Sequence, residues 1–109
     1  MKSKFYDKAR EETFFKERCE YYNLPNHMHG AIVRYIMDGI PPGHFLTAVI
    51  DNDLREAFSR ADDKNKPMIE AFLQYFYMEA PAQCHGSERD MERWIERGGL
   101  NGNPKEQAS

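Results

Sequence analysis

A chain of 109 residues has the length of one domain, and its net charge of −3 excludes the strongly basic balance of proteins that bind nucleic-acid backbones. Two cysteines, Cys19 and Cys84, are too few for the disulfide framework of a small secreted protein, and no apolar run at the N-terminus predicts a signal peptide. No segment approaches the ~20 apolar residues that cross a bilayer, so we expect a soluble cytoplasmic protein with no membrane contact.

The first third of the chain has the pattern of two amphipathic helices. Apolar residues recur there at three- and four-residue steps. The first predicted helix covers roughly residues 3–22, with Phe15 and Cys19 on one face. The second covers residues 26–38, and Gly39 supplies its C-terminal stop.

The third predicted helix is the most regular of all. The stretch MDGIPPGHFLTAVIDNDLREAF, residues 37–58, opens with a Pro-Pro-Gly bend, because each proline pushes the residue before it away from helical geometry. Residues 43–61 then follow the i, i+3, i+4, i+7 pattern of a single amphipathic helix.

Asp53 breaks the apolar stripe of this predicted helix. At about 100° per residue, Asp53 falls inside the stripe, whereas Asp51 and Asn52 point outward. Because an unpaired buried charge is costly, we expect Asp53 to be a structural polar anchor that bonds Arg34, Arg60, a tyrosine hydroxyl or a helix end. An acid that contacts a ligand or takes part in catalysis is the alternative.

Two more helices and a tail complete the chain. The fourth begins at Pro67 and ends before Pro81, and the fifth covers residues 87–97 behind the capping-box-like start at Ser87. No stretch alternates like a strand, so the apolar faces of about five short helices must cover one another. The predicted fold is an all-α compact bundle, with residues 1–97 forming one helical domain. The predicted flexible C-terminal tail covers residues 98–109.

The Pro-Pro-Gly bend also suggests a ligand site. The helix start at Gly43 offers unpaired N–H groups with a partial positive charge, and His44 in its first turn can donate a hydrogen bond. Arg34 is a cation for the same anion, and Tyr75 and Tyr77 can stack on a base. These five residues are the predicted contacts of a small anionic ligand. A plain helix connector, aromatic packing and a subunit interface are the alternatives.

The histidines and cysteines fit neither a metal site nor a nucleophilic pair. His27 and His29 project from nearly opposite sides of a helix, and the adjacent Cys84 and His85 lack the ligand spacing of structural zinc sites. Neighbouring residues also rarely orient for proton transfer, and no oxyanion-hole motif accompanies this pair. We therefore expect no metal, no cofactor and no enzymatic activity.

A basic stripe runs along the last predicted helix. Arg89, Arg93 and Arg97 recur at four-residue steps between three glutamates. This pattern predicts a solvated face laced with salt bridges. DNA or RNA binding through the basic ends is the alternative, and the net charge argues against it.

Two runs of sequence resemble a family of small proteins encoded in tailed-phage genomes. The runs are GIPPGHFLTAVIDNDLREAFSRADDKN and YFYMEAPAQCHGSERDMERWIERGGL. The family pattern is Gly-x-Pro-Pro-Gly-x-Phe-Leu, Asn-Asp-Leu, Arg-Ala-Asp and Pro-x-x-Cys-x-Gly-Ser before a tryptophan. It matches residues 39–46, 52–54, 60–62 and 81–87, with Trp94, and the resemblance covers about residues 35–100.

The resemblance implies a phage origin and, by the company such proteins keep, a role against host defences. We therefore expect a phage-encoded, non-enzymatic binding protein that works in the host cytoplasm and sequesters a small nucleotide-type immune signal. The alternative is an inhibitor or adaptor that binds a host defence protein through the aromatic and charged surface of the fourth and fifth helices. Self-association into a homo-oligomer is a further expectation.

Overall fold

The computed structural model describes residues 8–63 and 65–102, and every regular element in that part of the chain is helical. The predicted all-α bundle is therefore confirmed. The α-helices are α1 (Lys8–Tyr21), α2 (Asn26–Asp38), α3 (His44–Ile50), α4 (Leu54–Arg60), α5 (Ile69–Met78) and α6 (Glu88–Arg97). Short 3₁₀ turns cover Lys66–Met68, Ala82–Cys84 and Gly99–Asn101.

The helix ends that the sequence marks most clearly are confirmed. Gly39 follows α2 in the left-handed conformation with φ of 69°, and Gly98 follows α6 with φ of 84°. Ser87 caps α6 by accepting a hydrogen bond from the Asp90 N–H. The predicted start of the first helix at residue 3 lies outside the described residues.

The predicted single helix over residues 43–61 is wrong, because the chain breaks between α3 and α4. Asn52 adopts a left-handed φ of 64°. Its N–H donates to Val49 O and the Asp53 N–H donates to Ala48 O at 2.8 Å, which is the Schellman pattern of a helix end. Asparagine tolerates the left-handed conformation, so the helix ends without the glycine that usually marks such an end in a sequence.

Asp53 is an N-cap residue and not a buried anchor between helices. Its Oδ1 accepts the Glu56 N–H at 3.1 Å, and the residue is exposed. The half-buried acid is its neighbour Asp51, one of whose carboxylate oxygens is shielded from solvent without a hydrogen-bond partner among the described residues. The prediction for Asp53 was wrong because no continuous helix runs through residues 51–53.

We expect Asp51→Asn to stabilise the protein near pH 7 by up to about 1 kcal/mol, since exposure of the side chain limits the gain. Burial, with Glu88, Asp53 and Glu92 nearby, raises the pKa of Asp51 above its ordinary 3.8. The ionised acid therefore weakens the fold above its raised pKa, and this penalty disappears as the pH falls through that pKa. Thermal melting at a series of pH values measures the effect.

Asp53→Asn is the matched control, because asparagine caps a helix about as well as aspartate. It should leave the melting temperature nearly unchanged at every pH. A stabilisation by Asp51→Asn that persists unchanged below about pH 3.8, or that Asp53→Asn reproduces, contradicts this account of Asp51.

Long-range hydrogen bonds from buried aromatic side chains tie the bundle together. The Trp94 indole N–H donates to Tyr35 O at 3.0 Å, and the Tyr35 hydroxyl donates to Cys84 O at 2.6 Å. The Tyr75 hydroxyl donates to Phe15 O at 3.0 Å. These three bonds join α6 to α2, α2 to the second 3₁₀ turn, and α5 to α1.

The stretch after α6 belongs to the folded domain, so the predicted tail is wrong for residues 98–102. Gly99 is buried and packs directly on the C-terminal end of α2. Asn101 Nδ2 donates to Asp38 Oδ1 at 2.7 Å. The composition of this stretch resembles a loop, but its glycines permit backbone contact that larger residues prevent. Residues 103–109 lie outside the described residues.

Candidate functional site

The structure does not bring the five predicted ligand contacts together. Gly43 and His44 are exposed at the start of α3, and Arg34 lies in a cleft between α1 and α2. Tyr75 is buried, whereas Tyr77 lines a separate groove beside α3 and α5. The predicted site therefore does not exist as one pocket in the described part of the chain.

The surroundings of His44 disfavour an anion. The small cleft that His44 lines, of about 110 Å³, also contains Asp51, Asp53 and Glu56. Arg60 lines the same cleft, but its Nε already contacts Glu56 Oε1 at 3.3 Å. A phosphate at this helix start would meet three carboxylates, so the predicted anion site at Gly43 and His44 is not supported.

Tyr75 is a core residue, which excludes the predicted stacking on a base. Its ring meets Tyr22 and Phe76 edge-on, with centroid distances of 5.9 and 5.5 Å. Burial raises the pKa of its hydroxyl far above the ordinary value, so the group stays protonated and donates to Phe15 O. Helix α5 buries Ile69, Phe72, Tyr75 and Phe76, so its buried side includes the predicted stacking residue Tyr75.

Arg34 lines a polar cleft of about 700 Å³ between α1 and α2. A Cβ atom on Gly30 would lie 3.0 Å from Arg34 Nη1. Because Gly30 has no side chain, the Arg34 guanidinium can pack against its backbone. Lys16 adds a second cation, while Glu12 and Glu20 add two acids. The cleft is therefore mixed in charge.

A second cavity is almost entirely apolar, and we name it the α3–α5 groove. It has a volume of about 520 Å³. Its lining residues are Val49, Asn52, Leu73, Gln74, Phe76, Tyr77, His85 and Gly86. None of these is Asp, Glu, Lys or Arg. Tyr77 is 79% exposed, the most exposed of the large hydrophobic residues in the described part of the chain.

The groove owes its shape to a loop that docks on the end of α3. Gly86 has a φ of 112°, and its N–H donates to Ile50 O at 2.8 Å. This bond holds His85 beside Phe76, with 6.0 Å between the ring centroids. Burial lowers the pKa of His85, opposed in part by Asp90, so the imidazole is neutral at neutral pH. The groove wall therefore carries no charge there.

Of the five predicted ligand contacts, Tyr77 alone lines the α3–α5 groove. Leu73 and Phe76 both pack in or against the core and line the groove as well. Asn52 and Gly86 both have positive φ, and they shape the two turns that meet at the groove. The Asp-Asn-Asp and Cys-His-Gly-Ser stretches are the sequence signals for these two turns, because they place turn-forming residues beside apolar runs. A turn at such a position indicates that two segments of the chain meet there.

Both cysteine thiols are buried and unreactive. Burial raises the pKa of Cys19 to about 11 and that of Cys84 to about 12. Neither thiol is therefore a ready nucleophile at neutral pH. Within the described ranges, no three His, Cys, Asp or Glu side chains are arranged to hold a metal ion.

A charged network joins α1 to the end of α5. Arg18 Nη2 and the Tyr22 hydroxyl donate to the same oxygen of Glu79, at 2.9 and 2.8 Å. The Arg18 hydrogen bond lowers the pKa of Glu79 below its ordinary 4.5, opposed in part by burial and helped by Tyr22. This network stabilises the fold and occupies Glu79 Oε2.

We expect Glu79→Gln to remove part of the acid sensitivity of the fold. As the pH falls, the Glu79 carboxylate of the unfolded chain is protonated before that of the folded protein. The stabilisation by the Glu79 carboxylate is therefore complete above about pH 4.5 and is lost as the pH falls through the lowered pKa of the folded state. The variant should be less stable than the parent near neutral pH, and the difference should shrink below that window. Melting temperatures along a pH series test this, and a constant difference at all pH values contradicts it.

No family model, curated protein or solved structure matches the chain. The resemblance to a tailed-phage family therefore stays a prediction. No helix in residues 8–63 and 65–102 is both long enough and apolar enough to cross a membrane.

Proposed function

We propose that this chain is a phage-encoded, non-enzymatic protein that binds a host defence protein through the α3–α5 groove and blocks it. The observation that carries the proposal is Tyr77, which is 79% exposed and lines an apolar groove. A tyrosine with this exposure gains little for the fold, whereas tyrosines are enriched where protein interfaces concentrate their binding energy.

The composition of the groove supports a protein partner over a small anionic one. Charged residues are depleted at the centre of protein interfaces, and none lines this groove. Leu73 and Phe76 provide apolar contacts, while Asn52 and Gln74 provide amides for a polar rim. An aliphatic or aromatic side chain of a partner fits a cavity of about 520 Å³.

Capture from host lysate, followed by mass spectrometry, tests the proposal. The wild-type protein, Tyr77→Ser and Tyr21→Ser are immobilised at equal density, and retained host proteins are compared. Tyr21 is the matched control, since it is a tyrosine of α1 with 67% exposure that does not line the groove. We expect one host protein to be retained by the wild type and by Tyr21→Ser.

Tyr77→Ser should lose most of that retention without any change in melting temperature. Removing a central aromatic anchor from an interface weakens binding by about 30-fold or more, which is a cost of about 2 kcal/mol. Retention that Tyr77→Ser and Tyr21→Ser reduce equally, or that neither reduces, contradicts a role for the groove.

We propose capture of a nucleotide-type signal as the second candidate function, in the polar cleft between α1 and α2, which we name the α1–α2 cleft. Arg34 and Lys16 both line this cleft, and its volume of about 700 Å³ accommodates a nucleotide. Calorimetry against cyclic and ADP-ribose-derived nucleotides tests it. Binding that Arg34→Ala abolishes and Arg55→Ala preserves supports this function, and no heat with any nucleotide rejects it. Arg55 is an exposed arginine of α4 outside this cleft.

A further inference from the structure

A third cavity lies between the 3₁₀ turn Ala82–Cys84 and helix α6, and we name it the α6 cleft. It has a volume of about 380 Å³. Its lining residues are Ala82, Gln83, Asp90, Arg93, Trp94 and Arg97. Two arginines one helical turn apart, a side-chain amide and an indole therefore share one small cavity.

The predicted salt bridges along α6 are not formed. The described ion pairs include Arg18–Glu79 and Arg60–Glu56, and within residues 8–63 and 65–102 no carboxylate oxygen lies within 4.0 Å of a basic nitrogen of α6. Arg93 and Arg97 therefore lack a carboxylate partner in residues 8–63 and 65–102, although Asp90 lines the same cleft. The basic stripe of α6 therefore carries positive charges that no carboxylate of the described residues neutralises by direct contact.

The Arg97 side chain is fixed by its neighbours although it has no carboxylate partner among the described residues. Its guanidinium carbon lies 4.9 Å from the centre of the Trp94 ring, a distance typical of cation–π contact. A Cβ atom on Gly102 would lie 3.0 Å from Arg97 Cγ, so the chain closes over the stem of the side chain. Arg97 Nε is shielded from solvent and has no acceptor among the described residues.

A fixed arginine suits recognition of an oxyanion through its Nη atoms, because Nε is shielded from a ligand as well as from solvent. Fixing the side chain in advance lowers the entropy that binding would otherwise cost, and a guanidinium donates two parallel hydrogen bonds to a carboxylate or a phosphate. Gln83 adds an amide donor to the same cavity.

The charges of the lining residues indicate what kind of anion fits. Arg93 and Arg97 contribute two positive charges and Asp90 one negative charge, so a single negative charge neutralises the cleft. Asp90 accepts hydrogen bonds and repels a second anionic group. A fitting ligand therefore carries one negative charge, with a hydroxyl or amino group directed towards Asp90.

We propose that the α6 cleft binds a small organic molecule with a singly charged oxyanion, held by Arg97 and Arg93, and with a hydrogen-bond donor that faces Asp90. A phosphodiester and a carboxylate are the two sources of such an anion. The site is independent of the α3–α5 groove, because Arg93 and Arg97 line only the α6 cleft among these two cavities.

Nuclear magnetic resonance titration of the full chain tests the site. The probes are cyclic AMP for a phosphodiester and glycylglycine for a carboxylate. The readouts are the Nε–H signal of Arg97 and the indole N–H signal of Trp94, the sole tryptophan of the chain. We expect a saturable shift of both signals with one probe, and the probe that produces it identifies the source of the anion.

Matched variants decide whether the cleft is specific. Arg97→Gln and Arg93→Gln should each weaken the Trp94 response about tenfold or more, because a charge-assisted pair is lost. Arg89→Gln removes the same charge from an exposed position of α6 outside the cleft and should leave the response unchanged. Arg34→Ala should also leave it unchanged, which separates this site from the α1–α2 cleft. Arg93 is exposed, so its variant keeps the test valid if Arg97→Gln fails to fold.

Two results overturn the proposal. One is the absence of a saturable shift with either probe. The other is an equal loss in Arg89→Gln and Arg97→Gln, which indicates non-specific attraction of anions to the helix.

Discussion

Gly99→Ala is expected to destabilise the protein by about 2–5 kcal/mol, because the ~1–2 kcal/mol of a left-handed non-glycine residue adds to the ~1–3 kcal/mol of overpacking. Gly99 has a φ of +70°, and a Cβ atom there would lie 2.5 to 2.6 Å from backbone atoms of Met37, Asp38 and Gly39. Backbone atoms cannot swing aside like a side chain, so the third 3₁₀ turn must leave α2. Urea unfolding followed by tryptophan fluorescence measures the loss.

Gly43→Ala is the matched control for this substitution. Gly43 has a φ of −68°, and a Cβ atom there meets nothing within 4 Å. Gly43 is the N-cap of α3, where alanine is less favourable than glycine, so its replacement should cost no more than about 1 kcal/mol. If Gly99→Ala and Gly43→Ala prove equally stable, the close contact between the end of α2 and the turn after α6 is not present in solution.

Trp94→Ala is expected to cost about 3–5 kcal/mol, the range for removing a large buried aromatic side chain. Trp94 is 2% exposed, and its indole N–H bonds Tyr35 O at 3.0 Å. Truncation leaves a cavity where α6 meets α2 and removes one of the two hydrogen bonds that Tyr35 O accepts, the other coming from the Gly39 N–H at 2.9 Å. Circular dichroism must follow the unfolding, since the variant has no tryptophan.

Tyr77→Ala controls for the loss of an aromatic ring as such. Because Tyr77 is 79% exposed, its truncation should change stability by no more than about 0.5 kcal/mol. A Trp94→Ala variant within about 1 kcal/mol of the parent contradicts the packing described for α6.

The helices with clear local signals were predictable from the sequence. Helix α2 is bounded by Pro25 and Gly39, and α6 is bounded by Ser87 and Gly98. Each of these residues starts or ends its helix through its own backbone conformation or side-chain hydrogen bond, so the signal is local in the sequence. The break at Asn52 was missed because a left-handed asparagine has no unique sequence signature. A continuous apolar pattern on both sides of it concealed two helices.

The site was less predictable than the fold, because it depends on which segments meet. The groove forms because residues 85–87 approach the end of α3. No local sequence pattern predicts this contact. Tyr75 and Tyr77 have the same chemistry and lie two residues apart, yet one is in the core and the other is in solvent. Only the packing of α1 and α3 against α5 separates their roles.

Site-specific photo-crosslinking tests the central claim most directly, namely that the α3–α5 groove is the surface that contacts the host partner. A benzophenone amino acid is placed at position 77 in one variant and at position 21 in another, and each is irradiated in host lysate. We expect a crosslinked host protein from position 77 and none of that mass from position 21. Crosslinking from position 21 alone, or equally from both positions, contradicts the groove as the binding surface.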